Sequence, residues 1–193
     1  MIVSASRRTD IPALYLPWLS RRLQEGFCLV RNPHNPHRVS RVDLRPEAVD
    51  GMVLWTKNPI PLLQLPPALA RIPFYIQCTV TAYGQDLEPG LPPKPEILAA
   101  FRELAARLGP ARLVWRYDPI LFSAAYSLEA HAARFADLAA QLEGCTDACV
   151  VSFLDSYRCT ARAERDLGLY RPAPDLAQAL LRRLVPIARA HGM

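Results

Sequence analysis

Four short bursts of polar residues, each following an apolar run, hold the side chains of this sequence best suited to chemistry: Arg7, Arg8 and Asp10; Lys57 and Asn58; Arg116 and Asp118; and Asp155. A fifth apolar run, Pro73–Val80, interleaves Gln77 and Thr79 among its hydrophobic residues. Arginine presents a planar fork of donors that grips phosphate or carboxylate with two hydrogen bonds, and lysine adds a point charge. A carboxylate among such cations stays ionised, so Asp10 and Asp118 suit orienting arginines or accepting from a ligand hydroxyl rather than donating protons. Together these residues predict a binding site for a small anionic or nucleotide-like ligand. The plainer alternative is that Arg7–Asp10 and Arg116–Asp118 are ion pairs tying loops to a scaffold, because structural networks also gather charge.

The elements that would position these residues repeat one pattern: apolar strand, polar burst, helix. Ile2–Ala5 is the first strand, and Pro12 opens a helix over residues 12–25, with Leu14, Trp18, Leu19 and Leu23 at helical intervals and Gly26 as its stop. Phe27–Arg31 and Arg38–Val42 flank the turn-rich Asn32–His37 and read as a hairpin inserted after that helix. Met52–Trp55, Pro73–Val80, Arg112–Trp115 and Cys149–Phe153 are the further strands. In the third, Ile76, Cys78 and Val80 should face helices, leaving Tyr75, Gln77, Thr79 and Thr81 toward an interior or cleft. Helices are expected over 94–108, over 127–143 with Ser127 as cap, and over 174–190 with a kink at Pro186. Crossovers of this length imply parallel strands with right-handed connections. The fold class is therefore α/β, a partial (β/α) barrel, TIM-barrel-like, with about five parallel βα units in a single domain. Such folds keep their chemistry at the carboxyl ends of the strands. The sequence stops where a sixth strand should begin, so the barrel is expected to be incomplete or to pair its open edge with a partner or a second copy.

The bulk numbers agree with one such domain. The chain has 193 residues, 51% hydrophobic and 21% charged, which fits a folded globular protein with a real core. No apolar run approaches the roughly 20 residues of a membrane span, and Arg7–Arg8 arrive too early for a secretory leader. Five cysteines without a leader indicate reduced thiols and a cytoplasmic protein. A net charge of +5 favours anionic partners.

Other constellations carry less. His34 and His37 have HxxH spacing but sit in a proline-broken turn without a neighbouring carboxylate or thiol. Cys145, Cys149 and the more distant Cys159 are too spread for a cluster site, and Cys78 reads as packing. No metal site is expected within the chain. Arg21, Arg22, Arg31, Arg38, Arg41 and Arg45 could form a basic face for nucleic acid, yet the run lacks interleaved aromatics, and solvated charge is the plainer reading.

The motifs SASRRTDIPA, VRNP, VLWTKNP, QCTVTAYG, LEP, VWRYDPIL and VSFLDSY, in order from Ser4 to Tyr157, resemble the bacterial domain-of-unknown-function family 1848. Its members are similar to radical-SAM enzymes and continue through a sixth strand to a cysteine cluster of the kind that holds iron and sulfur. The resemblance implies an iron–sulfur cluster and SAM in the complete family protein, with no cofactor ligand among the five cysteines here. It also strengthens the strand-end residues as binding candidates. The readings set against it are a nucleic-acid-binding module using the Arg21–Arg45 face and an inactive truncated scaffold.

Overall fold

Strict alternation marks the parallel strand over Phe74–Thr79, where Phe74, Ile76 and Cys78 are buried and Tyr75, Gln77 and Thr79 are half-buried. That two-residue period is how a strand divides itself between a helix-covered face and an open one. The computed structural model describes every residue except Ser6, Arg7, Ser156, Arg158 and Cys159, and the chain falls into two units, Met1–Cys78 and Thr79–Met193.

In the first unit β1 (Ile2–Ala5) lies parallel to β4 (Gly51–Thr56), and β4 lies parallel to β5 (Phe74–Thr79). The expected helix over 12–25 is two helices, α1 (Ile11–Leu14) and α2 (Leu16–Glu25), with Tyr15 between them at φ −134°. The break follows from Pro17. Proline has no N–H to give and is tolerated in a first turn, so the helix restarts just ahead of it. Gly26 then ends α2 in the left-handed conformation at φ 76°, as its sequence position predicts. The hairpin is present, with β2 (Phe27–Arg31) antiparallel to β3 (Val39–Asp43). Leu19, Leu23, Met52, Leu54, Leu62, Leu69 and Ile76 make the core, the last of these packing from β5.

The second unit contains α3 (Lys94–Leu108), β6 (Leu113–Ile120), α4 (Leu128–Leu142), β7 (Cys149–Phe153), α5 (Ala161–Asp166) and α6 (Pro174–Ala190), with Pro186 inside α6. β6 and β7 are parallel. Trp115 stacks on Phe135 of α4 at 4.7 Å between centroids, and Tyr117 meets the same ring edge-on at 5.1 Å. Two expectations need correction here. The fourth strand does not end at Trp115 but continues to Ile120, because Trp115 and Tyr117 keep alternating into the core, so Arg116 and Asp118 lie within a strand rather than beyond it. Thr81, expected on the open face, is buried and donates to Glu88 Oε2 at 2.7 Å. Among the described residues no helix is long and apolar enough to cross a membrane.

The fold is thus α/β, with the parallel strands β1, β4 and β5 and an antiparallel hairpin in the first unit and the parallel pair β6 and β7 in the second.

Candidate functional site

In the first unit the polar residues after β1 and β4 are joined through Asp10. Its Oδ1 accepts from Ala13 N at 2.9 Å, capping α1, and its Oδ2 accepts from Lys57 N at 2.7 Å. The buried Thr56 hydroxyl lies 3.0 Å from Asp10 Oδ2 and 2.8 Å from Asn58 O, and it accepts from Asn58 N at 3.0 Å. Asn58 Oδ1 in turn accepts from Ile60 N at 3.2 Å. Asp10 is therefore a stitch between the β1 loop and the end of β4, where the sequence predicted a partner for arginine. The other half of the expected Arg7–Asp10 pair lies outside the described residues. Lys57 is half-buried at this junction. On the open face of β4 and β5, Trp55 Nε1 donates to Ser4 Oγ at 3.0 Å and Gln77 Nε2 donates to Tyr75 Oη at 3.2 Å. Thr79 follows Gln77 on that face at the end of β5. Arg8 turns elsewhere: its Nη1 donates to the Arg31 carbonyl in the hairpin at 2.9 Å.

In the second unit Arg116 and Asp118 form the expected ion pair through Arg116 Nη2 and Asp118 Oδ2. The Ser152 hydroxyl donates to the other oxygen, Asp118 Oδ1. Arg116 pairs with Val150 and Tyr117 with Val151, and the register then shifts before Ile120 pairs with Phe153, so Asp118 meets Ser152 beside an irregularity in the ladder. The side chains of Arg116 and Asp118 are 15% and 20% exposed, close to solvent yet largely desolvated. That is the setting in which a charge-assisted hydrogen bond holds its geometry. Ser152 was missed from sequence because a lone serine in a valine-rich strand carries no signal until the register is known.

A buried polar network backs this segment. Tyr83 Oη donates to Pro119 O and accepts from Leu121 N, both at 2.7 Å. His131 lies 2.7 Å from Leu121 O through Nε2 and 2.7 Å from Tyr117 Oη through Nδ1. The Leu121 carbonyl can only accept, so Nε2 carries the proton and Nδ1 accepts from the tyrosine. Burial, reinforced by the Arg134 charge, pulls the His131 pKa below its ordinary value, against a smaller opposing effect of the Leu121 hydrogen bond. Burial likewise pushes the phenols of Tyr83 and Tyr117 upward, so neither ionises near neutrality. These groups hold the backbone on either side of Asp118 and Pro119.

Asp155 is exposed beyond β7 and lines a cleft of about 570 Å³ with Arg171 and Pro172. The described contacts do not bring it to Arg116 and Asp118.

The basic face has two parts. Arg45 is held by Asp43, and hydrogen bonds from Arg45 lower the Asp43 carboxyl to about 2. Arg22 pairs with Glu25 at 2.7 Å. Arg31, Arg38 and Arg41 stand exposed along the hairpin. His34 and His37 lie in its turn, where Asn32 Oδ1 accepts from His34 N and Asn35 N, and Asn35 Oδ1 accepts from His37 N. Among the described residues no three His, Cys, Asp or Glu side chains gather as a metal-ligand set. Cys28 and Cys78 are buried and Cys145 and Cys149 half-buried, all as free thiols. Burial pushes the Cys149 thiol up to about 12. These four thiols do not fit an iron–sulfur cluster.

Comparison with known proteins gives a family and a fold. The family described as "Domain of unknown function (DUF1848)" matches residues 2–193. No curated protein matches the chain. Among solved structures, that of spore photoproduct lyase complexed with dinucleoside spore photoproduct is similar at a TM-score of 0.66 and 15% identity, over 99% of this chain and 58% of that one. The likeness is one of fold, and the chain spans just over half the length of that enzyme.

Proposed function

The chain belongs to the DUF1848 family, and on that premise we propose that it is a radical-SAM-like protein of partial-barrel architecture that binds an anionic, nucleotide-like ligand at the polar ends of its strands. The observation that carries this reading is the Arg116–Asp118–Ser152 arrangement. Asp118 is gripped at both oxygens, so it presents Arg116 in a fixed orientation on the open face of β6 and β7. A guanidinium held in place beforehand loses little entropy when it closes on a phosphate. Within the first unit, Lys57 and Gln77 carry a cation and hydrogen-bonding groups of their own at the strand ends. The solved structure with similar fold holds a dinucleoside, which supports a nucleotide-like ligand class. What these residues supply is binding and orientation. The family's implied SAM and cluster chemistry draws no ligand set from the described cysteines.

The test uses thymidylyl-(3′,5′)-thymidine as probe in isothermal titration. Arg116→Ala should weaken binding about tenfold, the loss of one hydrogen bond to a charged group, and Ser152→Ala, which frees one Asp118 oxygen, should weaken it by less, both with circular dichroism unchanged. Unaltered affinity in Arg116→Ala, or no binding by the parent protein, overturns the proposal.

A further inference from the structure

A cavity of about 690 Å³ in the first unit runs beside β1 between α2 and the hairpin. Its floor is apolar, with Leu19, Cys28, Leu44 and Met52 buried beneath it. Its mouth is apolar too, but open: Tyr15 is 50%, Trp18 44% and Leu29 61% exposed. Apolar rings left this accessible on a folded surface mark a place where something binds. The cavity's charge is of one sign. Arg8 and Arg31 line it, no aspartate or glutamate does among the described residues, and Arg8 Nη1 donates to the Arg31 main-chain carbonyl at 2.9 Å, which fixes Arg8 against the hairpin. The hairpin carries the positive charge outward through Arg38 and Arg41, the latter seated on the Phe27 ring at 4.3 Å. The side-chain oxygens of Asn32 and Asn35 accept from the main-chain N–H groups of His34 and His37 and hold the turn between these arginines in shape.

Open aromatic faces beside arginines, over an apolar trough without carboxylates, meet the needs of unpaired nucleobases and their phosphates. The bases stack on the rings and the phosphates meet the guanidinium groups. The aromatics that the basic run lacks in sequence are supplied in space from the α1–α2 junction and α2. An acidic peptide would use the arginines but leave the stacking faces idle, and a duplex keeps its bases stacked on one another. We propose that this trough binds a short single-stranded segment of nucleic acid, with Trp18 and Tyr15 as stacking platforms and Arg8, Arg31 and Arg38 as phosphate contacts. The inference does not rest on the Arg116 reading.

The experiment follows fluorescence anisotropy of a labelled ten-nucleotide oligo-dT at 50 mM salt, beside a duplex of equal length and a ten-residue poly-glutamate competitor. The parent protein should prefer the single strand. Trp18→Ala should weaken it about tenfold, the size of one lost base stack, while Trp18→Phe keeps most of the affinity. Arg31→Ala should weaken binding and lower the slope of log affinity against log salt by about 0.7, one phosphate contact on a single strand. Arg162→Ala, on exposed α5, should change neither quantity. Quenching of tryptophan emission on binding should be absent in Trp18→Phe. Absence of binding, equal affinity for duplex, displacement by poly-glutamate at equal charge, or indifference to Trp18→Ala each overturns the proposal.

Discussion

Thr56 shows how one hydroxyl can organise a junction. It is buried between Asp10 and Asn58 and reaches polar atoms of both. Thr56→Val keeps the shape of the side chain and leaves those groups short of a partner, so it should cost about 1–3 kcal/mol in urea denaturation. Asp10 was legible in sequence as a polar residue at a strand end, but its role was not. Its partners are two main-chain N–H groups and a hydroxyl from residues 13, 56 and 57, and no local pattern announces a bond across more than forty positions. The Arg116–Asp118 pair was readable because its two residues share one strand face at a spacing of two. Ser152 was not, since its partner is fixed only by register between strands.

At the scale of elements, local rules sufficed wherever the signal was local. The α4 helix starts where Ser127 predicts, and the Ser127 hydroxyl accepts from Ala130 N at 3.3 Å. Ser127→Ala should lower stability by about 1 kcal/mol, while Ser127→Gly should cost only a few tenths, in paired urea titrations. The expected bounds of α3, β7 and α6 hold for the same reason: each has a clear period and a turn or proline at its end. Two elements departed from expectation for opposite reasons. The proline at 17 divided a helix whose apolar spacing runs on without interruption. The strand β6 outlasted its apolar run because Arg116 and Asp118 occupy the open face of a strand still half in the core.

For the whole molecule, acid is the informative variable. His131 packs among Tyr117, Tyr83, Phe122 and Tyr126, with Arg134 as the nearby charge. Its folded pKa lies below the ordinary 6.5, so between the two values the unfolded chain binds more protons. Its contribution to stability is therefore complete above 6.5 and is lost as pH falls through that value toward the folded pKa. The urea midpoint should hold steady from about pH 8 to 7 and decline toward about pH 5, and His131→Gln should be less stable at pH 8 with a shallower decline. The sequence offered no hint of this, because a histidine in the first turns of an amphipathic helix is ordinary. Its burial depends on Tyr117 and Leu121 arriving from a different element. What was legible at this scale was the strand–helix rhythm and its parallel pairing.

The thiol of Cys149 carries a consequence for the protein's encounter with oxygen. With its pKa pushed to about 12, the fraction present as thiolate at pH 7 is about one in 10⁵. Sulfenic acid formation and disulfide exchange begin at the thiolate, so peroxide and glutathione would meet an almost inert group at the start of β7.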